Sequence, residues 1–126
     1  MFLSGESPFK GKTGVQRLFN ALHYSLDGLC AALRCEVAFR QLLCLSVLLI
    51  PLALLIHRPV LGRALLVASS FATLIIELLN SAIEAAVDHT SLERHPLAKR
   101  AKDMGSAAQF LGLVNLIAMW VIVLID

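Results

Sequence analysis

The sequence predicts an all-α membrane protein in which three transmembrane helices follow an amphipathic helix on the membrane surface. Composition is the first reason. Of 126 residues, 58% are hydrophobic and only 16% charged, whereas a soluble domain carries about 25% charged residues. The second is segregation. Apolar residues gather in runs at 37–56, 60–79 and 107–125, each close to the roughly 20 helical residues that cross a hydrocarbon core ~30 Å thick. The third is a helical stripe with polar flanks just ahead of the first run. Little chain remains for a separate soluble domain, so any chemistry must sit on the helices and their short connections.

Residues 1–14, "MFLSGESPFKGKTG", hold glycine, serine and proline without a period and read as a flexible tail. Within it "GESPFKGKT" imitates a phosphate-binding loop, but five residues separate Gly5 from Gly11, one too many, and no strand precedes them. Over 15–34, Val15, Leu18, Phe19, Leu22, Leu26, Leu29 and Leu33 are spaced 3, 1, 3, 4, 3 and 4 apart, a helical stripe. Gln16, Arg17, Asn20, His23, Asp27 and Arg34 take much of the rest, the pattern of a helix lying on a bilayer.

The first span, 36–57, contains Arg40, Gln41 and Pro51; Arg40 can snorkel to the headgroups. "HRPVLGR", residues 57–63, makes a tight turn into the second span, 60–88. "HTSLERHP" breaks that helix, because Pro96 cannot continue it, and proline favours the first turn of the next. A helix over 97–125 would be ~43 Å long, so its first ten or so residues extend beyond the membrane.

Basic residues set the expected orientation. Lys10, Lys12, Arg17, Arg34 and Arg40 precede or open the first span, and Arg94, Lys99, Arg100 and Lys102 lie between the second and third. Only Arg58 and Arg63 occupy the other link, and none follows the last span. The positive-inside rule puts the N-terminus in the cytoplasm and the C-terminus outside. No basic region with an apolar core marks a cleaved signal peptide. Cys30, Cys35 and Cys44 form no CxxC and read as reduced bystanders.

The chemistry-bearing stretch is "ELLNSAIEAAVD", residues 77–88. Glu77, Asn80, Ser81, Glu84 and Asp88 are 3, 1, 3 and 4 apart and fall within a sector of roughly 100° on one helix face. Glu77 lies just inside the expected hydrocarbon boundary, where a carboxylate is costly and needs a partner or a task. Glu84 follows seven residues later, ~10 Å along the helix. Across the loop, "AKRAKDMGSAA" puts Lys102 and Ser106 four apart with Asp103 beside them, and "RCEVAFRQ" brings Glu36 to the same level. Mg²⁺ takes one or two carboxylates plus substrate phosphates, and a lysine suits phosphate oxygens. The constellation reads as a phosphoryl-transfer site at a water–lipid boundary, with an ion pathway as the other reading of the same residues.

"ELLNSAIEAAVD" with "ERHPLAKRAKDMGSAA", and "EVAFRQ" opening the first span, strongly resemble the small prokaryotic diacylglycerol kinases. The resemblance runs in order over residues 15–125. It implies three transmembrane helices plus a surface helix in a homotrimeric bundle in the bacterial inner membrane, with active sites shared between copies. It also implies transfer of the γ-phosphoryl of Mg-ATP to diacylglycerol, giving phosphatidic acid. By matching position, Glu77 resembles the catalytic base and also contacts the lipid substrate. Glu36 and Glu84 resemble the metal-binding carboxylates and, with Lys102 and Asp103, handle ATP. Arg17, Tyr24, Glu93 and His95 fall where the family contacts nucleotide. Arg17 and Ser106 lie toward the lipid substrate, and Asn80 and Asp88 support the site. Leu42, Arg94 and Asp27 depart from the pattern and are assigned no role.

Two rivals stand beside this reading. Undecaprenol kinase of the same family applies the same chemistry to a polyprenol; "KDMGSAA" resembles the diacylglycerol branch. A non-enzymatic ion carrier or channel subunit would need a polar face along the whole span, but the outer half offers only Ser69 and Ser70. No nucleic-acid partner is expected.

Overall fold

The computed structural model describes residues 14–90 and 95–126. The tail at 1–13 with its Gly5–Gly11 segment, together with Glu93 and Arg94, lies outside them. The described chain is entirely helical: α1 (Gly14–Cys35), α2 (Val37–Leu55), α3 (Val60–Thr90) and α4 (Pro96–Ile125). α1 belongs to one unit and α2–α4 form a second.

α1 is a 22-residue helix whose stripe of Val15, Leu18, Phe19, Leu22 and Leu26 is exposed. An apolar face opposite a polar one suits the interfacial zone of a bilayer.

Glu36 has extended backbone, with φ −113° and ψ 107°, and precedes the first turn of α2 as its N-cap. Its carbonyl accepts from Arg40 N at 3.2 Å, while its side chain makes no capping hydrogen bond. Pro51 lies inside α2, which nevertheless continues to Leu55. The helix ends where Ile56 turns extended, its N–H still bonded to Leu52 O at 3.2 Å. Arg63 closes the turn by donating to Leu54 O and Arg58 O, each at 3.1 Å.

α2, α3 and α4 are each long and apolar enough to cross a membrane. α3 and α4, at 31 and 30 residues, exceed the ~30 Å hydrocarbon core by several turns. α3 is central, packing against both α2 and α4. Ala53, Leu66 and Val123 form a small core with Ile56, Val67, Met119 and Trp120 against it. Large apolar side chains such as Leu48, Phe71, Phe110 and Ile117 face outward, the arrangement expected when lipid is the solvent.

The helices alternate in direction, which sorts the chain between two ends. Arg58 donates from Nη2 to Leu124 O at 2.7 Å and from Nη1 to Asp126 O at 3.5 Å. The α2–α3 turn and the C-terminus therefore share one end. Glu36, the 84–88 segment of α3 and the 95–102 segment of α4 share the other.

Candidate active site

The second end carries the polar residues, and the α3–α4 seam organises them. Val123 lies opposite Gly62, Gln109 opposite Thr73 and Glu77, Gly105 opposite Asn80, and Lys102 opposite Asp88. These pairs step down two antiparallel helices in one continuous register.

On α3 the buried face is polar for most of its length: Ser69, Ser70, Thr73, Glu77, Asn80 and Ser81. The outer members are partly satisfied within the helix. Ser69 Oγ donates to Leu66 O at 2.8 Å and Thr73 Oγ1 to Ser69 O at 2.9 Å, the local bonding open to short hydroxyl side chains. Beyond them, exposure rises in steps. Glu77 is 5% exposed, Asn80 and Ser81 are buried, Glu84 is half-buried and Asp88 is exposed. The single carboxylate face expected from the spacing is present, graded from dry to wet.

Glu77 accepts at Oε2 from Gln109 Nε2 at 2.8 Å, and the same nitrogen donates to Thr73 O at 3.2 Å. Asn80 Nδ2 reaches Glu84 Oε1 at 3.5 Å, while Asn80 Oδ1 is buried without a hydrogen-bond partner among the described residues. Gly105 lies directly against that oxygen. Lys102 Nζ bonds Asp88 Oδ1 at 3.0 Å across the seam.

The neighbouring residues of α4 point elsewhere. Asp103 pairs with Lys99 at 2.6 Å; that hydrogen bond and the carboxylate charge raise the Lys99 ammonium above its ordinary range. Both line a shallow groove with Pro96, Arg100, Met104 and Ala107. Ser106 is exposed. His95 is the N-cap of α4: its Nδ1 accepts from Leu97 N at 3.1 Å, with Pro96 in the first turn. Arg17 and Tyr24 lie on α1. Glu36 is half-buried at the start of α2.

Among the described residues no three His, Cys, Asp or Glu side chains gather as a metal-binding group. A hard divalent cation such as Mg²⁺ usually takes one or two carboxylates, with waters and phosphates in its remaining positions. Glu84 is half-buried and has a carboxylate oxygen 3.5 Å from Asn80. It offers a hard oxygen donor at the wet end, with Glu36 at the same end of the bundle.

Three contributors escaped the sequence reading. Gln109 is a polar residue inside an apolar run, and such residues in a span are costly enough to mark function; that was the available signal. Gly105 and Gly112 sit seven apart on the α4 face that meets α3, small residues where two membrane helices approach closely.

The sequence profile of the family described as prokaryotic diacylglycerol kinase matches residues 23–124. A Pseudomonas aeruginosa protein named diacylglycerol kinase is 57% identical over 119 residues, covering 94% of this chain and 97% of that one. A Helicobacter pylori protein of the same name is 49% identical over 115 residues, 91% of this chain and 89% of its own. One from Escherichia coli is 42% identical over 112 residues, 89% and 92% of the two chains.

Proposed function

Because this chain belongs to the prokaryotic diacylglycerol kinase family, we propose that it phosphorylates 1,2-diacylglycerol with ATP, using Glu77 as general base. The hydroxyl oxygen of the lipid bonds to the γ-phosphorus, and the bond from that phosphorus to the β,γ-bridging oxygen breaks. The hydroxyl proton passes to Glu77, and phosphatidic acid and ADP leave. The observation that carries this reading is the graded face of α3, with one dry carboxylate at Glu77 and wetter ones at Glu84 and Asp88. A lipid hydroxyl stays near the hydrocarbon, whereas a nucleotide must stay in water.

Mg²⁺, when bound, neutralises phosphate charge and aligns the γ-phosphoryl group; Glu84 and Glu36 are the residues to hold it. Lys102, steadied by Asp88, supplies positive charge for the phosphates, where a preorganised cation stabilises developing negative charge. Asp103, His95, Glu93, Tyr24 and Arg17 are assigned to nucleotide contact by resemblance alone, and Asp103 and His95 would have to leave Lys99 and the Leu97 N–H to make it. The resemblance alone assigns Ser106 and Arg17 to the lipid substrate, while Asn80 Nδ2 reaches Glu84 Oε1 at 3.5 Å. This site faces the cytoplasm of the bacterial inner membrane, as the distribution of Lys and Arg supports, with the C-terminus outside.

A homotrimer with shared sites is part of the same proposal. Asn115 supports it, being exposed in the apolar part of α4, where an amide facing lipid is costly and a neighbouring copy relieves it. The names of the relatives favour diacylglycerol over undecaprenol. Purified protein given Mg-ATP and either lipid tests the choice: labelling of diacylglycerol is expected, and labelling of the polyprenol alone overturns it.

A further inference from the structure

We propose that Gln109 is a positioning residue for this reaction, holding the Glu77 carboxylate so that Oε1 is presented to the substrate hydroxyl. The inference rests on Glu77 being the base. Its ground is the bridge at the seam, where Gln109 Nε2 lies 2.8 Å from Glu77 Oε2 and 3.2 Å from Thr73 O.

The Thr73 carbonyl can only accept, so the amide turns its nitrogen toward it, and its orientation follows from the chemistry. The nitrogen carries two hydrogens and has two acceptors within reach. The carboxylate is thereby tied to a backbone oxygen one helical turn behind it. A glutamate side chain has three rotatable bonds, and without a tether its oxygens sweep several ångströms. Among the described residues, Gln109 is the hydrogen-bond donor to this buried carboxylate, and a hydrogen bond to an ionised group is stronger than one between neutral groups. One oxygen is engaged, which leaves the other for the proton.

The rest of the local packing serves the amide. A Cβ at residue 112 would stand 3.1 Å from Gln109 Oε1 and 2.9 Å from Ile76 Cδ1, so the glycine leaves room for the side chain to lie along the seam. Gln109 Oε1 is itself buried with no hydrogen-bond partner among the described residues. A side chain serving only to fill the seam would be methionine or leucine, which fit a span without burying an orphan acceptor. The glutamine is explained by its donor end.

The test is Gln109→Met, of similar length and without donors, assayed in mixed micelles with diacylglycerol and Mg-ATP. The expected result is a fall in kcat of about 10- to 100-fold, the scale of a misplaced catalytic group. KM for both substrates should stay within about twofold, and the thermal midpoint should not fall. In a Glu77→Gln background the same substitution should change the residual rate by less than about twofold, since Gln109 then has no carboxylate to hold. If Gln109→Met does not fold, Gln109→Leu carries the same test. An unchanged kcat, or an equal loss in both backgrounds, overturns the role of Gln109. Full activity of Glu77→Gln alone overturns the base assignment instead.

Discussion

Gly105 and Asn80 meet across the α3–α4 seam so closely that a Cβ at residue 105 would overlap the Asn80 side-chain oxygen. A side chain at 105 would have to push the end of Asn80 aside, and the oxygen it faces is a buried acceptor on the same helix as Glu77 and Glu84. Helix packing and the polar face thus meet at this contact.

Gly105→Ala must displace Asn80 or part the helices. Overpacking of this kind costs about 1–3 kcal/mol, so the thermal midpoint should fall, and activity per folded molecule should fall with it because Asn80 adjoins Glu84. Gly28→Ala is the contrast: nothing lies within 4 Å of a Cβ there, and alanine gains up to about 1 kcal/mol of helix propensity. Thermal unfolding in detergent separates the two.

Glu77→Gln should slow phosphoryl transfer about 10²- to 10⁴-fold, the usual contribution of a general base, while Mg-ATP binding is largely kept. Glu84→Gln should instead raise the KM for Mg-ATP about tenfold, equivalent to roughly 1.4 kcal/mol. Nucleotide binding measured beside steady-state rates distinguishes them. Equal effects of both substitutions on binding would remove the division of labour.

Lys102 and Asp88 are both substantially exposed, and a surface pair of this kind contributes only about 0–1 kcal/mol to stability. Lys102→Ala should therefore leave the thermal midpoint nearly unchanged yet raise the KM for ATP by at least about tenfold through loss of phosphate contact. Asp88→Asn should cost severalfold less. Equal, small effects of the two would mean that the pair is only structural.

Arg58 caps the far end of α4 through Leu124 O and Asp126 O. Arg58→Ala removes a cation from a helix C-terminus along with those bonds, a loss of about 0.5–1.5 kcal/mol. Stability should drop while kcat and both KM values of the folded protein stay the same, because the contact lies at the opposite end from Glu77. A change in KM would show that the two ends communicate.

The readable part of the site was the part written along one helix. Glu77, Asn80, Ser81, Glu84 and Asp88 share a face because 3.6 residues make a turn, and that needs only spacing. The same logic grouped Lys102 with Ser106, yet Lys102 turns to Asp88 across the seam while Ser106 is exposed. Asp103, adjacent to Lys102, pairs with Lys99 on another side of the helix. His95, matched to nucleotide contact by resemblance, spends Nδ1 on capping α4. Spacing places residues on a face; the neighbour of that face decides what each one touches.

The sequence by itself determined the four helices, the three spans and the polar face of α3, because hydrophobic periodicity and bilayer thickness act locally along the chain. Only the tertiary structure decided that this face is shut into a seam and that Glu77 meets Gln109, 32 residues away. It also decided that glycines at 105 and 112 allow the approach. Those contacts depend on the antiparallel register of α3 and α4. That register follows from how side chains of two helices fit together, which neither helix carries alone.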